Sequence, residues 1–203
     1  MADRVGAVIL AAGLSRRMGR PKMALPWGDT TIIGQVVRVL LAAGAAPLVA
    51  VTGGSREVVE AALSGLPVTL AYNPDFANGA MLTSLQVGLR ALPDDVTACL
   101  VALGDQPQIE VEVTRAVLSV YHQAGAQLIV PSYHMRRGHP WLAGRELWPD
   151  LLALASPTTS SNVTLRDFLD THAPAIHYLP VEAPSVLQDV DTPEDYRRAG
   201  KEE

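Results

Sequence analysis

The chain has 203 residues, one cysteine and a formal net charge of −5 at pH 7. This length predicts a single domain, residues 1–203, that can bury an apolar core without metal or disulfide support. The acidic balance argues against a nucleic-acid binder, and no apolar run is long enough to predict a membrane span. Cys99 lies in an apolar run, which predicts a buried structural thiol and fits a reducing cytoplasm.

Short apolar runs alternate with longer amphipathic segments along the chain. The apolar runs predict strands at residues 7–11, 47–52, 68–71, 98–102, 128–131 and 176–179. The amphipathic segments have apolar residues near a 3.6-residue period and predict helices at residues 32–43, 56–63, 81–91 and 111–124. This alternation predicts βαβ units, and therefore a mostly parallel twisted sheet between two helix layers, a three-layer α/β/α fold.

The first predicted strand runs into a basic loop that contains Arg16, Arg17, Arg20 and Lys22. Phosphate oxygens are bound by cationic side chains and backbone N–H groups, so this loop suits a polyphosphate. The alternative interpretation is a surface turn rich in solvated arginines. Ligands of open parallel sheets bind outside the carboxyl ends of the strands, which is where the loop begins. The position therefore predicts a nucleotide site.

Two well-known phosphate loops do not fit these residues. A P-loop requires a Gly-Lys-Ser/Thr sequence that begins five residues after Gly13, but that position is Met18, and Gly19 is followed by Arg20. A dinucleotide fingerprint requires a glycine where the chain has Ser15. Neither a P-loop ATPase nor a nicotinamide-dependent enzyme is indicated.

Five motifs occur in order along the chain: LAAGLSRRMGRPK at 10–22, NP at 73–74 with GAMLTSL at 79–85, GDQP at 104–107, RGHP at 137–140 and DVDTP at 189–193. Together they resemble the motifs of the molybdenum cofactor cytidylyltransferase group, the MobA/MocA-like nucleotidyltransferases. The resemblance implies a GT-A-like, Rossmann-like fold. It also implies an enzyme that transfers CMP from CTP to the phosphate of molybdopterin and releases pyrophosphate.

Carboxylates occur in two of these motifs. Asp105 follows an apolar strand, and Asp189 and Asp191 point to the same side of an extended segment. Two carboxylates beside nucleotide phosphates make the oxygen-rich shell that Mg²⁺ prefers. We therefore expect Asp105 and Asp191 to bind Mg²⁺, with Asp189 as the alternative to Asp191; a turn or helix cap is the other interpretation of Asp105.

By resemblance, the catalytic residues are Lys22, Arg17 and Asp105. Lys22 and Arg17 would hold the triphosphate and stabilise the charge that develops on the leaving pyrophosphate. An attacking phosphate monoester is already anionic near neutral pH, so the reaction requires positioning and charge neutralisation rather than a general base. The motifs accordingly carry no catalytic serine, cysteine or histidine.

The predicted nucleotide-binding residues lie at the end of the first predicted strand, in the basic loop that follows it, and at the ends of other strands. The small side chains at residues 11–13 allow the backbone to approach the base, and Ser84 lies on a helix expected to begin at Gly79 with its N-terminus facing the nucleotide. By resemblance, Ala12 favours CTP over GTP. The apolar side of that helix, Met81, Leu82, Leu85 and Leu89, is predicted core. The full predicted set is Leu10, Ala11, Ala12, Gly13, Ser15, Arg17, Lys22, Thr52, Asn73 and Ser84, of which Thr52 and Asn73 have turn closure as the alternative role.

Arg137, Gly138 and His139 are the predicted acceptor-binding residues. Arg137 suits bidentate phosphate binding, although an ordinary basic turn explains the motif equally well, and His139 is expected to orient groups rather than act as a base. The family's Gly-Asp-x-Gly-Ala-Arg segment corresponds to residues 161–166, which keep only Arg166. A sugar or polyol phosphate is therefore the alternative acceptor. A non-catalytic nucleotide- or cofactor-binding protein on the same fold is the alternative function. A molybdoenzyme or its chaperone is a further partner that the resemblance allows.

The last motif also has a local structural interpretation. Thr192 is a plausible N-cap, Pro193 suits the first helical position, and Asp195 completes a capping box for a helix expected to start at Glu194. Capping explains these three residues but leaves the two preceding aspartates for another role.

Overall fold

The computed structural model describes residues 3–78, 81–154 and 163–199. The predictions for Gly79, Ala80 and residues 161–162 lie outside these ranges. The strands are β1 (Val5–Ala11), β2 (Pro26–Trp27), β3 (Thr30–Thr31), β4 (Leu48–Thr52), β5 (Thr69–Tyr72), β6 (Ala98–Leu103), β7 (Leu128–Tyr133), β8 (Arg136–Arg137), β9 (Trp141–Gly144) and β10 (His177–Pro180). The α-helices are α1 (Ile32–Ala43), α2 (Arg56–Ala62), α3 (Met81–Ala91), α4 (Val111–Ala124), α5 (Trp148–Ala153), α6 (Leu165–Thr171) and α7 (Pro193–Arg198).

The main sheet has the strand order β10-β7-β9-β6-β1-β4-β5, and β8 pairs with β7 at the side. Strand β1 is parallel to both β4 and β6, β4 is parallel to β5, and β10 is parallel to β7. Strand β9 is antiparallel to its neighbours β6 and β7. The predicted mostly parallel sheet is therefore confirmed, with one antiparallel strand in its interior.

Helices cover both faces of this sheet because the central strands are apolar on both sides. All seven residues of β1 are buried. Ala7 and Ile9 pack in the same core cluster as residues of α1 and α4, whereas Val8 packs with residues of α3, α5 and α6. Two separate cores thus lie on opposite faces of one sheet, as in the predicted three-layer arrangement. Within the described ranges, no helix combines the length and apolarity needed to cross a bilayer.

The six predicted strands are all present, and α1, α3 and α4 have the predicted bounds within the described residues. Cys99, on β6, is fully buried as expected. Strand β9 was not predicted, because a run of only four residues between Pro140 and Arg145 has no alternating pattern. Helices α5 and α6 were also missed.

Helix α7 returns the end of the chain to the loop that follows β1. Its capping box is present as predicted: Thr192 accepts a hydrogen bond from the Asp195 N–H, and the Asp195 side chain accepts one from the Thr192 N–H; the helix begins at Pro193. The Tyr196 hydroxyl donates to the Pro26 carbonyl over 2.6 Å. Val190 packs in an apolar cluster with Met18 of the basic loop and Trp27 of β2. These contacts place the Asp189 to Asp191 segment beside the first loop.

Candidate functional site

The loop after β1 folds back on itself and buries its last cation. Ser15 adopts a left-handed backbone conformation (φ 50°), and its Oγ accepts a hydrogen bond from the Lys22 N–H over 3.3 Å. Met18 is buried and anchors the middle of the loop in the cluster that also contains Val190. As a result, Lys22 is only 6% exposed, whereas Arg16, Arg17 and Arg20 are exposed.

The buried ammonium of Lys22 joins two carboxylates from distant parts of the chain. Lys22 Nζ donates to Asp105 Oδ2 over 2.5 Å and to Asp191 Oδ1 over 2.6 Å. Arg17 Nη2 lies 2.6 Å from the other Asp191 oxygen, Oδ2. The structure therefore brings together the residues that the sequence assigned to catalysis and to metal binding.

The charges of this cluster stabilise one another. Burial alone would lower the pKa of Lys22, but the attraction of Asp105 and the hydrogen bonds to Asp105 and Asp191 outweigh it and raise the pKa above its usual value. Lys22 is therefore a cation at neutral pH.

Backbone hydrogen bonds hold the two aspartates in place. The Gly104 N–H donates to the Leu10 carbonyl over 3.0 Å, which fixes the start of the Asp105 turn against β1. The Val190 N–H donates to the Asp105 carbonyl over 2.9 Å. Asp105 and Asp191 are thus positioned by main-chain contacts as well as by Lys22.

Asp189 lies beside this cluster and is held by a residue whose role the sequence did not reveal. Gln106 Nε2 donates to Asp189 Oδ1 over 2.6 Å, and Gln106 is 2% exposed. Its side-chain carbonyl is a buried oxygen with no hydrogen-bond partner among the described residues. Burial, followed by the repulsion of Asp105, raises the pKa of Asp189. The amide in the GDQP motif was the only available signal of this contact.

A cavity of about 410 Å³ opens over the cluster; we call it the carboxylate pocket. Most of the predicted nucleotide-binding residues line it, together with all three aspartates. Sequence reasoning had not assigned Leu14, Met23, Phe76 and Leu103 to it. The predicted residues that line it are Leu10, Ala12, Gly13, Ser15, Arg17, Lys22, Ser84, Asp105, Asp189 and Asp191.

Three residues of the predicted nucleotide set do not line the carboxylate pocket. Ala11, Thr52 and Asn73 are at most 1% exposed. Thr52 donates to Glu60 Oε1 over 3.1 Å, and Asn73 Nδ2 donates to Ser84 Oγ over 3.0 Å. Contacts of the Thr52 and Asn73 side chains with base or ribose stay a prediction, and they would have to compete with these internal hydrogen bonds.

Met81 also differs from its prediction as core. It is the first residue of α3, is 53% exposed, and lines both the carboxylate pocket and a second, larger cavity. The other three residues of the predicted apolar stripe, Leu82, Leu85 and Leu89, are buried. Met81 thus stands between the two cavities.

The larger cavity has a volume of about 1230 Å³ and contains the predicted acceptor residues; we call it the β8 pocket. Arg137 lines it but already has partners there. Its Nη1 forms an ion pair with Asp170, and its Nε and Nη2 donate to the Tyr178 hydroxyl over 3.1 and 2.9 Å. The bidentate phosphate contact predicted for Arg137 would have to compete with Asp170. Arg166 also lines this pocket.

Gly138 and His139 shape the same pocket. A Cβ on Gly138 would lie 2.6 Å from the Val186 side chain, so only glycine allows this close approach. The His139 N–H donates to the Val186 carbonyl over 3.0 Å, and the His139–Pro140 peptide bond is cis. Burial lowers the pKa of His139 to about 4, so its imidazole is neutral at pH 7.

The donor set of the carboxylate pocket suits a hard divalent cation. Asp105 Oδ2 and Asp191 Oδ1 already converge on a single cationic atom, and carboxylate oxygens are the ligands that Mg²⁺ and Mn²⁺ prefer. In the part of the chain that is described, however, no three acidic, histidine or cysteine side chains are grouped as a preformed metal site. The two carboxylates therefore suit a divalent cation in charge and in donor chemistry, but the Lys22 ammonium lies between them.

Known proteins resemble this chain over almost its whole length. The molybdenum cofactor cytidylyltransferase of Escherichia coli (strain K12) is 28% identical over 193 residues, which are 95% of this chain and 93% of that protein. The nicotine blue oxidoreductase of Paenarthrobacter nicotinovorans is 31% identical over 207 residues, 96% of this chain and 95% of that protein.

Among solved structures, Rv0371c from Mycobacterium tuberculosis H37Rv matches with a TM-score of 0.82 at 29% identity, over 98% of both chains. Its complex with manganese matches with a TM-score of 0.77 at 28% identity, over 97% of both chains. The α/β architecture of this chain is therefore that of its structural neighbours.

A family model described as the MobA-like NTP transferase domain matches residues 7–175. The match begins in β1 and includes the basic loop, Asp105 and the RGHP motif, although it ends before Asp191. This family works on a nucleoside triphosphate and a phosphorylated acceptor. The chain belongs to the MobA-like NTP transferase family.

Proposed function

We propose that this protein is a Mg²⁺-dependent cytidylyltransferase that transfers CMP from CTP to the phosphate of molybdopterin and releases pyrophosphate. The observation that carries the proposal is the convergence of Lys22, Asp105 and Asp191 in a pocket that is also lined by the basic loop. Such a cluster of paired cations and carboxylates suits a metal-bound triphosphate.

The chain's own residues would supply binding and positioning. Arg17 and Lys22 are the cations closest to the carboxylates, and they would hold the triphosphate and stabilise the negative charge on the departing pyrophosphate. Gly13 has open space around it, so phosphate or base can approach the backbone there. The acceptor phosphate is already anionic, so no protein group has to remove a proton from it.

Asp105 and Asp191 are the residues that would hold Mg²⁺. A bound divalent ion would supply charge neutralisation at the phosphates. Support comes from the oxygen donors described above and from the relative that was solved in complex with manganese.

The β8 pocket is the proposed acceptor site because it adjoins the carboxylate pocket at Met81. The similarity to the Escherichia coli cytidylyltransferase favours molybdopterin, and a sugar or polyol phosphate is the alternative acceptor. The same proposal includes a cytoplasmic location. It also includes a molybdoenzyme or its chaperone as the recipient of the product.

A redox function is the second candidate, because the relative from Paenarthrobacter nicotinovorans is named an oxidoreductase and is similar over nearly the whole chain. The two candidates differ in a measurable product. Nucleotidyl transfer releases one pyrophosphate for each acceptor modified, whereas a redox reaction releases none.

The decisive experiment is to incubate the protein with each of the four ribonucleoside triphosphates, Mg²⁺ and either molybdopterin, a sugar phosphate or a polyol phosphate. Pyrophosphate release is the measurement, and samples without acceptor are the control. We expect release with CTP and molybdopterin. Turnover only with a sugar or polyol phosphate would remove molybdopterin from the proposal, and no release under any condition would remove the transferase.

Asp105→Asn is the sharpest variant for testing the site, because it removes one charge with little change of shape. We expect turnover to fall at least about a hundredfold while CTP binding is partly retained, since the loss is at the metal-binding carboxylate. Asp94→Asn is the matched control, because Asp94 is exposed and precedes β6, whereas Asp105 follows the other end of the same strand. Unchanged turnover in Asp105→Asn would contradict the role of Asp105.

A further inference from the structure

Lys22 occupies the position in which a cation neutralises both aspartates. Its ammonium contacts one oxygen of Asp105 and one of Asp191, at 2.5 and 2.6 Å, while Arg17 contacts the second oxygen of Asp191. Both oxygens of Asp191 and one oxygen of Asp105 are therefore already paired with protein cations. A divalent ion that uses these oxygens has to replace a cation that belongs to the chain.

The Lys22 ammonium also opposes a metal ion directly. Lys22 is only 6% exposed, so water screens its charge poorly. A divalent ion that enters while the ammonium is in place meets a like charge at close range, with both competing for the same oxygens. The absence of a preformed metal group among the described residues agrees with an arrangement built around an ammonium.

A triphosphate changes this balance because it offers the ammonium new anionic partners. Lys22 lines the carboxylate pocket together with Arg16 and Arg17, so an anion in that pocket lies within reach of all three cations. Once Lys22 turns to the phosphates, the two carboxylates lose their counter-ion. They are then free to bind the metal that accompanies the nucleotide.

From this geometry, and resting on the proposed function, we infer that Lys22 acts as a resident cation that excludes divalent metal until a nucleoside triphosphate draws it away from Asp105 and Asp191. Metal and nucleotide then bind as a coupled pair, and the empty enzyme binds metal weakly.

Metal affinity without nucleotide tests the inference through a readout that does not require activity. Lys22→Gln removes the ammonium and keeps a polar side chain, and we expect it to bind Mn²⁺ about tenfold or more tightly than the unaltered protein, measured by electron paramagnetic resonance of free Mn²⁺. Arg16→Gln is the matched control, because it removes one cation from the same pocket without touching either carboxylate; its Mn²⁺ affinity should change less than about threefold. Equal affinities in the unaltered protein and Lys22→Gln, or an equal gain in Arg16→Gln, would overturn the inference.

A second measurement uses the unaltered protein and so does not depend on whether Lys22→Gln folds. The sequence has two lysines, Lys22 and Lys201, so protein labelled with ¹³C-lysine gives two side-chain signals, and Lys201→Arg assigns them. We expect Mg²⁺ alone to leave the Lys22 signal in place and Mg²⁺ with CTP to move it. A full shift of the Lys22 signal on adding Mg²⁺ alone would overturn the inference.

The pyrophosphate assay on the same samples separates this inference from the proposed function. Pyrophosphate release by a protein whose Lys22 signal responds fully to Mg²⁺ alone would leave the transferase standing and remove the resident-cation role. The expected Mn²⁺ affinities in a protein that releases no pyrophosphate would support the role of Lys22 and remove the transferase.

Discussion

At the scale of single residues, Lys22 shows how one side chain can organise a site from distant segments. It is separated by 83 residues from Asp105 and by 169 residues from Asp191, yet it hydrogen-bonds to both. A buried ammonium with two carboxylate partners is costly to break, because removal of one partner leaves an uncompensated buried charge. The cluster therefore contributes to the fold of the sheet edge as well as to the proposed chemistry.

His139 makes a pH-dependent contribution to stability that can be measured. Burial lowers its pKa to about 4 in the folded protein, whereas an unfolded histidine has a pKa of about 6.5. Between these values the unfolded chain binds a proton that the folded protein does not, so the free energy of unfolding falls as pH falls from about 6.5 to about 4. We expect His139→Gln to lack this loss, which is about 3 kcal/mol at most.

The measurement is urea unfolding at several pH values between 4 and 7. His177→Gln is the matched control, because His177 is exposed on β10. Parallel pH dependences in the unaltered protein and His139→Gln would contradict a neutral His139 imidazole in the folded protein.

Cys99 should be chemically silent in the folded protein. Burial raises the pKa of its thiol to about 12, and thiolate is the reactive form. We expect alkylation by iodoacetamide at pH 8 to be on the order of a thousandfold slower in the native protein than in urea. Mass spectrometry of samples taken over time would follow the reaction, and rapid modification without denaturant would show that β6 is accessible.

At the scale of elements, α7 and α6 carry the same capping box but different neighbours. Asp195 Oδ2 accepts from the Thr192 N–H over 2.9 Å and from the Asp191 N–H over 3.3 Å. Asp167 caps α6, and its Oδ2 accepts from the Thr164 N–H and from the Thr164 hydroxyl, both over 2.7 Å. The two caps therefore differ in whether they also hold a residue of the carboxylate pocket.

Asp195→Ala and Asp167→Ala should each lower the free energy of unfolding by about 1 kcal/mol, the usual cost of losing a helix cap. We expect only Asp195→Ala to raise the KM for the nucleoside triphosphate, because it also releases the Asp191 backbone. Thermal unfolding and steady-state kinetics on both variants would test this. An equal rise of KM in both variants would argue for a general loss of stability instead.

The elements also show where sequence reasoning was sufficient. Helices α1, α3 and α4 were predicted with their bounds because each has a long amphipathic period, and strands β1, β4 and β6 are apolar runs between turn residues. Strand β9 was missed because four residues cannot display a period, and its antiparallel direction follows only from its place between β6 and β7.

At the scale of the whole molecule, ligand binding should be visible as stabilisation. A ligand that binds only the folded state at about 100 times its Kd adds about 2.7 kcal/mol. For a domain of this size the Tm should then rise by roughly 5–10 °C. We expect this rise with CTP and Mg²⁺ together, and a smaller one with either alone.

Thermal unfolding with each triphosphate would measure this preference without an acceptor. Asp105→Asn is the control, because it should lose the additional effect of the metal. An equal rise with all four triphosphates would contradict the preference for CTP, and no rise with any of them would contradict nucleotide binding.

By itself the sequence determined the fold class, the order of most elements and the types of residue available for chemistry. Periodicity and turn residues are local properties of a chain, and the short motifs carried the resemblance to one family. The sequence also placed the basic loop and the GDQP motif at strand ends, which confined the predicted site to one edge of the sheet.

Only the tertiary structure decided which of these residues meet. Lys22 proved to be bonded to carboxylates, Thr52 and Asn73 proved to be internal, and Arg137 proved to be paired with Asp170. Such partnerships depend on how close residues separated by 8 to 83 positions along the chain come in space. The physical reason is that charge pairing and burial are properties of three-dimensional neighbours, which no local pattern along the chain records.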